Sequence, residues 1–175
     1  MLSVVASGLG HLKDQVVFVG GATIGLYITD ESARDVRLTD DVDCVVEVAS
    51  RVKYYDLEEK LRQLKFKQPM EEGHPICRWV YSGIYVDVMP TLEPILGFTN
   101  RWYKEGIAHA VSAQLPDKQK ISIFSVPYLL ASKIEAFRGR GKEDFLASPD
   151  LEDIVILIDG CLELEETISK SPATV

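Results

Sequence analysis

The chain has 175 residues, a formal net charge of −8 at pH 7 and an apolar content of 46%. These values are typical of a globular protein of about one domain, and the negative charge argues against general affinity for the nucleic-acid backbone. No apolar run approaches the roughly 18 residues of a membrane-spanning helix, and the first residues lack a secretory signal pattern, so we expect a cytoplasmic protein without membrane contact.

The first half of the chain predicts alternating helices and strands. A short helix over residues 3–14 precedes VVFVGG (16–21), an apolar β-branched run that predicts a buried strand ending in a glycine turn. A short helix in ATIGLYITDE leads to a second strand, DVDCVVEV (41–48), and YYDLEEKLRQLKF (54–66) carries apolar residues at helical spacing. ICRWVYSGIYVDVMP (76–90) predicts two strands broken at Ser82–Gly83.

The second half predicts more helix. NRWYKEGIAHAV (100–111) favours a helix, and the strands VSAQL and KISIFS are joined across Pro116–Asp117. Pro127 opens a helix in PYLLASKIEAF. In SPDLEDIVILIDG (148–160) the serine suits an N-cap, the proline suits the first helical position and the glycine suits the end. A last short helix follows from Leu162.

These elements predict an α/β (α+β) fold in which helices flank a mixed sheet. We expect one domain over residues 1–175, with an α/β core over about 1–125 and a helical C-terminal part over about 126–170. The three cysteines are widely spaced and contain no CxxC pair, which favours reduced thiols over disulfides.

Three aspartates carry the strongest chemical signal. Alternation places Asp41 and Asp43 on one face of their strand, where like charges repel, and it places Asp87 on the face opposite its valine neighbours. If these strands are neighbours in the sheet, the three carboxylates converge and can hold Mg²⁺ or Mn²⁺, which prefer oxygen ligands. The alternative is a solvated strand end without a ligand.

Two further features fit a phosphate-binding site. Gly20 and Gly21 lack Cβ atoms, so their backbone N–H groups can approach phosphate oxygens, although a plain strand-to-helix turn is the alternative. Lys133 borders an apolar helical stripe of Leu130, Ile134 and Phe137, which directs its ammonium to an edge. The alternative for Lys133 is a surface lysine whose stem packs on that stripe.

A run of basic residues interrupts the acidic composition. It predicts a local anion or RNA contact, and the alternative is a solvated face. The run consists of Lys118, Lys120, Lys133, Arg138, Arg140 and Lys142.

These blocks, in this order, resemble the nucleotidyltransferase superfamily with the polymerase-β-like fold. RLTDDVD (37–43) is similar to the R-x-T-x-D-x-D form of its motif, and SKIEAFRGRGKEDFLASPDLEDIVILIDG (132–160) resembles the Lys-to-Asp block of the AbiEii-like branch. That branch includes toxins of toxin–antitoxin systems. The resemblance covers roughly residues 16–160.

The resemblance implies a role for each matching residue. Gly20 and Gly21 would hold the nucleotide phosphates. The family usually has a serine or a small residue after the glycines, whereas Ala22 and Thr23 follow here, so either Thr23 supplies the hydroxyl or none is needed. Asp41 and Asp43 would bind the metal, and Asp87 would be a further ligand or the base that activates the acceptor. The implied contacts farther along the chain come from Lys133 to the triphosphate, from Arg138 to phosphate or RNA, and from Asp150 or Asp153 to Lys133.

The function implied is transfer of an NMP from an NTP, with ATP as one such donor, to a hydroxyl acceptor. The acceptor would be a tRNA 3′ end or a protein, with a cognate antitoxin as a partner in the toxin case. The alternatives are an aminoglycoside-type nucleotidyltransferase acting on a small molecule and a non-catalytic module that binds a nucleotide or a partner.

Overall fold

The strands and helices follow the sequence prediction closely. The structure, a computed structural model, describes residues 1–33, 35–97, 99–140, 145–173 and 175. Six strands run through these residues: β1 Val16–Val19, β2 Asp41–Val46, β3 Arg78–Tyr81, β4 Ile84–Pro90, β5 Val111–Gln114 and β6 Lys120–Ile123. The α-helices described are α1 Leu2–Leu9, α2 Arg51–Gln63, α3 Glu93–Leu96, α4 Tyr103–Ala108, α5 Val126–Arg140, α6 Pro149–Gly160 and α7 Leu164–Ser169. Two 3₁₀ helices, Gly10–Gln15 and Gly21–Leu26, flank β1.

The described strands form one mixed sheet in the order β3-β4-β2-β1-β6-β5. The pairs β1–β2, β3–β4 and β5–β6 are antiparallel, whereas β2–β4 and β1–β6 are parallel. Helices flank this sheet, and α5, α6 and α7 make up the C-terminal part. The predicted mixed sheet with flanking helices is therefore confirmed.

The break predicted at Ser82–Gly83 is a tight two-residue turn. Both residues have positive φ, 50° for Ser82 and 79° for Gly83, which matches the right-handed twist of a short hairpin. Because the turn has two residues, Tyr81 pairs with Ile84. This pair fixes the register of the remaining pairs of β3 and β4. This register places Arg78 opposite Asp87.

The predicted start of α6 is also confirmed. The Ser148 hydroxyl accepts a hydrogen bond from the Leu151 N–H at 3.3 Å, and Pro149 is the first helical residue. Gly160 is the last residue of the helix. It has no room for a side chain, because a Cβ there would lie 2.9–3.0 Å from atoms of Ile28 and Ala33.

The apolar stripe predicted for α5 is only partly buried. Leu130 is buried, but Ile134 is 40% exposed, whereas Leu129 and Lys133, predicted at the border of the stripe, are buried. The reason is tertiary: α6 packs along α5 and covers the side that the sequence predicted as the border of the stripe. The surface-lysine alternative for Lys133 is therefore also wrong.

Both faces of the central strand β2 are covered beyond its first residues, since Val42, Cys44 and Val45 are all fully buried. The three cysteines lie within the described residues and are free, buried thiols. Among the described helices, none has the length and apolar character required to cross a bilayer.

Candidate functional site

The sheet brings the three predicted aspartates together. In the parallel pair β2–β4, Asp43 is directly opposite Asp87, so both side chains project from the same face. Asp41 lies two residues before Asp43 and shares that face. Asp41, Asp43 and Asp87 each offer a carboxylate oxygen, and these oxygens lie within 4.8 Å of one another. We call this group the acidic triad.

An arginine that the sequence did not single out lies among these carboxylates. Arg78 Nε donates to Asp87 Oδ1 at 2.8 Å, and Arg78 Nη2 donates to Asp87 Oδ2 at 2.7 Å. The same Nη2 reaches Asp41 Oδ2 at 3.2 Å. The pKa of Arg78 is raised, first by its hydrogen bond to Asp87 and then by the charges of Asp87 and Asp41, although partial burial opposes the shift.

The first glycine of the turn is fitted to the triad. Because β1 and β2 are antiparallel with Val19 opposite Asp43, the end of β1 delivers Gly20 next to Asp43. Gly20 has a φ of 75°, and a Cβ at this position would overlap the Asp43 carboxylate. Only glycine satisfies both the backbone conformation and the space left by Asp43.

The second glycine is fitted to a different group. A Cβ on Gly21 would lie 2.7 Å from a methyl of Thr39 and 2.8 Å from Arg37 Nη2. Arg37 in turn donates from Nε and Nη2 to the two oxygens of Asp153, both at 3.3 Å. The glycine turn therefore connects the triad on one side to an arginine–aspartate pair on the other.

Asp153 belongs to a buried cluster centred on Lys133. Lys133 is 7% exposed, and its Nζ lies 2.6 Å from Asp153 Oδ2 and 3.2 Å from Asp150 Oδ1. Lys133, Arg37, Asp150 and Asp153 carry two positive and two negative formal charges, and the exposed Glu152 adds a carboxylate 3.9 Å from Arg37 Nε at the solvent edge of the group. We call it the lysine cluster. Both aspartates predicted near Lys133 contact it.

A small cavity separates the two groups. It has a volume of about 80 Å³, and its lining includes Gly20, Asp43, Lys133 and Asp150. Asp150 thus faces the cavity with Lys133, whereas Asp153 is 1% exposed and is not among the residues that line it. Asp153 therefore contacts the lysine away from the cavity lining and holds it in position.

The negative charge of the triad contributes to the raised pKa values of two neighbouring thiols. Burial, followed by the charges of Asp43 and Asp87, raises the pKa of Cys44 well above its usual value. Burial, followed mainly by the charge of Asp87, raises the pKa of Cys77 to about 12. Both thiols therefore stay protonated near neutral pH, and neither is suited to act as a nucleophile.

Two predicted nucleotide contacts need correction. The Thr23 side chain is fully buried and its hydroxyl donates to the Gly20 carbonyl at 2.8 Å, so it stabilises the turn and does not face a ligand. Arg138 is exposed and lines a separate, mostly apolar cavity of about 550 Å³ beside Trp102 and Ile168. The structure does not bring Arg138 to the triad.

The predicted run of basic residues does not form one exposed surface in the described part of the chain. Lys133 is buried and leaves the run, whereas Lys118 and Lys120 are exposed. Lys142 and the Arg140 side chain lie outside the described part of the chain.

The sequence prediction missed two residues of the site, and only one had a usable signal. The two-residue turn at Ser82–Gly83 fixes the hairpin register, so counting back from it would have paired Arg78 with Asp87. Arg37 begins the quoted motif RLTDDVD but was given no role, and its contact with Asp153 spans 116 positions of the chain, which no local pattern indicates.

The triad fits a divalent cation on the chemistry of its donors. Three carboxylates supply hard oxygen ligands, which Mg²⁺ and Mn²⁺ prefer. Asp41 and Asp43 are only half-buried, so a cation held there would remain accessible to water. The space that Gly20 leaves beside Asp43 lets this carboxylate reach the group without a clash.

No family model matches the chain. A comparison with curated proteins finds no match either. The resemblance to nucleotidyltransferases is therefore a resemblance of motifs in the sequence.

Proposed function

We propose that the protein is a Mg²⁺- or Mn²⁺-dependent nucleotidyltransferase that transfers an NMP from an NTP to a hydroxyl group. The observation that carries this proposal is the meeting of Asp41, Asp43 and Asp87 beside the Gly20 turn, across a small cavity from Lys133. Carboxylates on neighbouring strands, a glycine turn and a facing cation suit the transfer of a phosphoryl-type group, because such catalysis depends on positioning and charge stabilisation.

In the proposed reaction, the acceptor oxygen attacks the α-phosphorus of the NTP. The bond from the α-phosphorus to the bridging oxygen of pyrophosphate breaks, and the acceptor proton passes to a base or to solvent. A divalent ion held by the triad would offset negative charge on the α-phosphate and on the leaving pyrophosphate.

The residues of this chain divide the remaining work. Gly20 leaves the space that the Asp43 carboxylate occupies, and Asp41 and Asp43 would hold the cation. Both oxygens of Asp87 accept hydrogen bonds from Arg78, so Asp87 would have to release or share one of them to act either as a ligand or as the base. Lys133 presents its ammonium at the far wall of the cavity, held in place by Asp150 and Asp153.

The proposal is tested with labelled NTPs and Mg²⁺ in the presence of a panel of acceptors. Asp43→Asn keeps the side-chain shape and removes one charge, and we expect transfer to fall roughly 100-fold or more. Asp40→Asn is the matched control, since Asp40 is exposed and lies one residue outside the triad sequence. Equal transfer by wild type and Asp43→Asn would contradict the proposal.

The acceptor is identified in the same assay. The panel contains tRNA, a protein extract and an aminoglycoside, one for each acceptor class implied by the motif resemblance. A toxin acting on tRNA or protein would also slow growth of an expressing host, and Asp43→Asn would relieve that effect. Binding of an NTP without Mg²⁺ dependence and without transfer to any acceptor would favour a non-catalytic module.

A further inference from the structure

The position of Arg78 within the triad has a consequence for metal binding. One nitrogen atom, Nη2, lies within hydrogen-bond distance of Asp87 Oδ2 and of Asp41 Oδ2. The guanidinium thus engages both oxygens of Asp87 and one oxygen of Asp41, so a cation shared by these carboxylates would meet it there. The Arg78 guanidinium thus lies where a metal ion bound by the triad would lie.

The surroundings of Arg78 give it a way to leave this position. Its side chain is 28% exposed, and it projects from the strand at the end of the described sheet. The guanidinium also lies over the ring of Tyr85, 5.3 Å from the centroid, and such contacts stabilise a cation without engaging a carboxylate. Tyr85 is the β4 partner of Asp41, so this ring lies beside the triad.

We propose that Arg78 is the resident counter-ion of the acidic triad and competes with a divalent cation for Asp41 and Asp87. This inference rests on the metal site of the proposed function. In the metal-free protein the guanidinium offsets repulsion among the three carboxylates and keeps them in place. When a divalent cation binds, it repels the positively charged guanidinium, so the guanidinium withdraws from Asp41. The apparent metal affinity is therefore lower than it would be for the three carboxylates without Arg78.

The test is calorimetric titration of the purified full chain with Mn²⁺, without nucleotide. Arg78→Gln removes the charge, and we expect the Kd for Mn²⁺ to fall roughly tenfold, because a like charge next to the bound cation is lost. Arg78→Lys keeps the charge but loses the two-pronged contact, so its Kd is expected between those of the other two proteins. Arg101→Gln is the control, because Arg101 pairs with Glu135 away from the triad and should leave the Kd unchanged.

Thermal unfolding separates competition from a folding defect. With a chelator present, Arg78→Gln should unfold at a lower temperature than wild type, because the carboxylates repel without their counter-ion. At saturating Mn²⁺, the two proteins should unfold at the same temperature. A gap that persists at saturating Mn²⁺, or a Kd for Arg78→Gln equal to or higher than that of wild type, would overturn the inference and leave Arg78 as a residue that only positions Asp87.

The transfer assay distinguishes this inference from the function it builds on. Tighter Mn²⁺ binding by Arg78→Gln without any nucleotidyl transfer would support the counter-ion role and contradict the transferase. Transfer that depends on Asp43, together with unchanged Mn²⁺ affinity in Arg78→Gln, would support the transferase and overturn the counter-ion role.

Discussion

The acidic triad and the lysine cluster lie on either side of one cavity and differ in charge balance and burial. Arg78 with the three triad aspartates carries one positive and three negative formal charges, and Asp41 has a side chain that is 37% exposed. The lysine cluster has two charges of each sign, and its lysine and both aspartates are buried. An excess of charge at an accessible position is suited to binding a ligand, whereas balanced buried charge is suited to holding structure.

The largest expected effect is on the lysine cluster. Lys133→Met removes the cation and leaves Asp150 and Asp153 buried with less compensation, so we expect the free energy of unfolding to fall by about 3–5 kcal/mol. Urea denaturation measures this loss. Lys120→Met is the matched control, because Lys120 is exposed and should change stability by less than about 0.5 kcal/mol. Similar losses in both variants would contradict a structural role for the cluster.

Binding of metal tests the acidic triad as a ligand-binding site. Mn²⁺ at about 100 times its Kd should raise the free energy of unfolding of the wild type by about 2.7 kcal/mol, since it binds only the folded protein. Asp43→Asn should lose this gain, and Asp40→Asn should keep it. The measurement is urea denaturation with Mn²⁺ and with a chelator. A gain of the same size in Asp43→Asn would place the bound ion outside the triad.

A smaller effect is expected at the glycine next to the triad. Gly20 has a φ of 75° and a ψ of −169°, a backbone region almost restricted to glycine, so Gly20→Ala costs roughly 1–3 kcal/mol for the backbone and adds a clash with the Asp43 carboxylate. Gly73→Ala also places a Cβ at positive φ, 86°, but this Cβ would meet no atom within 4 Å. Urea denaturation should show the larger loss of stability for Gly20→Ala. Equal losses would show that Asp43 moves aside freely.

Local patterns predicted the parts of the site that depend on short-range rules. Alternation in DVDCVV and YVDVMP placed the three aspartates on their faces, and Ser148–Pro149 located the start of α6. The convergence of the aspartates depended on the pairing of β2 with β4. The sequence did not predict this pairing, because the two strands are far apart in the chain. The burial of Lys133 was missed for the same reason, since it depends on how α6 packs against α5.

The smallest effect concerns the thiols, which report the charge of the triad. The pKa of Cys77 is raised from 9.0 to about 12, first by burial and then by Asp87, so the folded state favours the protonated thiol. Its contribution to stability is therefore fully present below pH 9.0 and is lost as the pH rises through about 12. Alkylation of Cys77 in the native protein should stay slow at pH 9.0, where an ordinary thiol is half ionised.

Asp87→Asn sharpens this measurement. Removing the Asp87 charge should lower the Cys77 pKa by less than about one unit, because burial is the larger cause and remains. Cys161 is the internal control, since its pKa is raised by burial and then by Glu163, not by the triad. Alkylation rates against pH, resolved by peptide mass, give both values in one sample. Equal shifts at Cys77 and Cys161 would mean that the substitution loosened the whole core, and the triad would then not be the source of the field at Cys77.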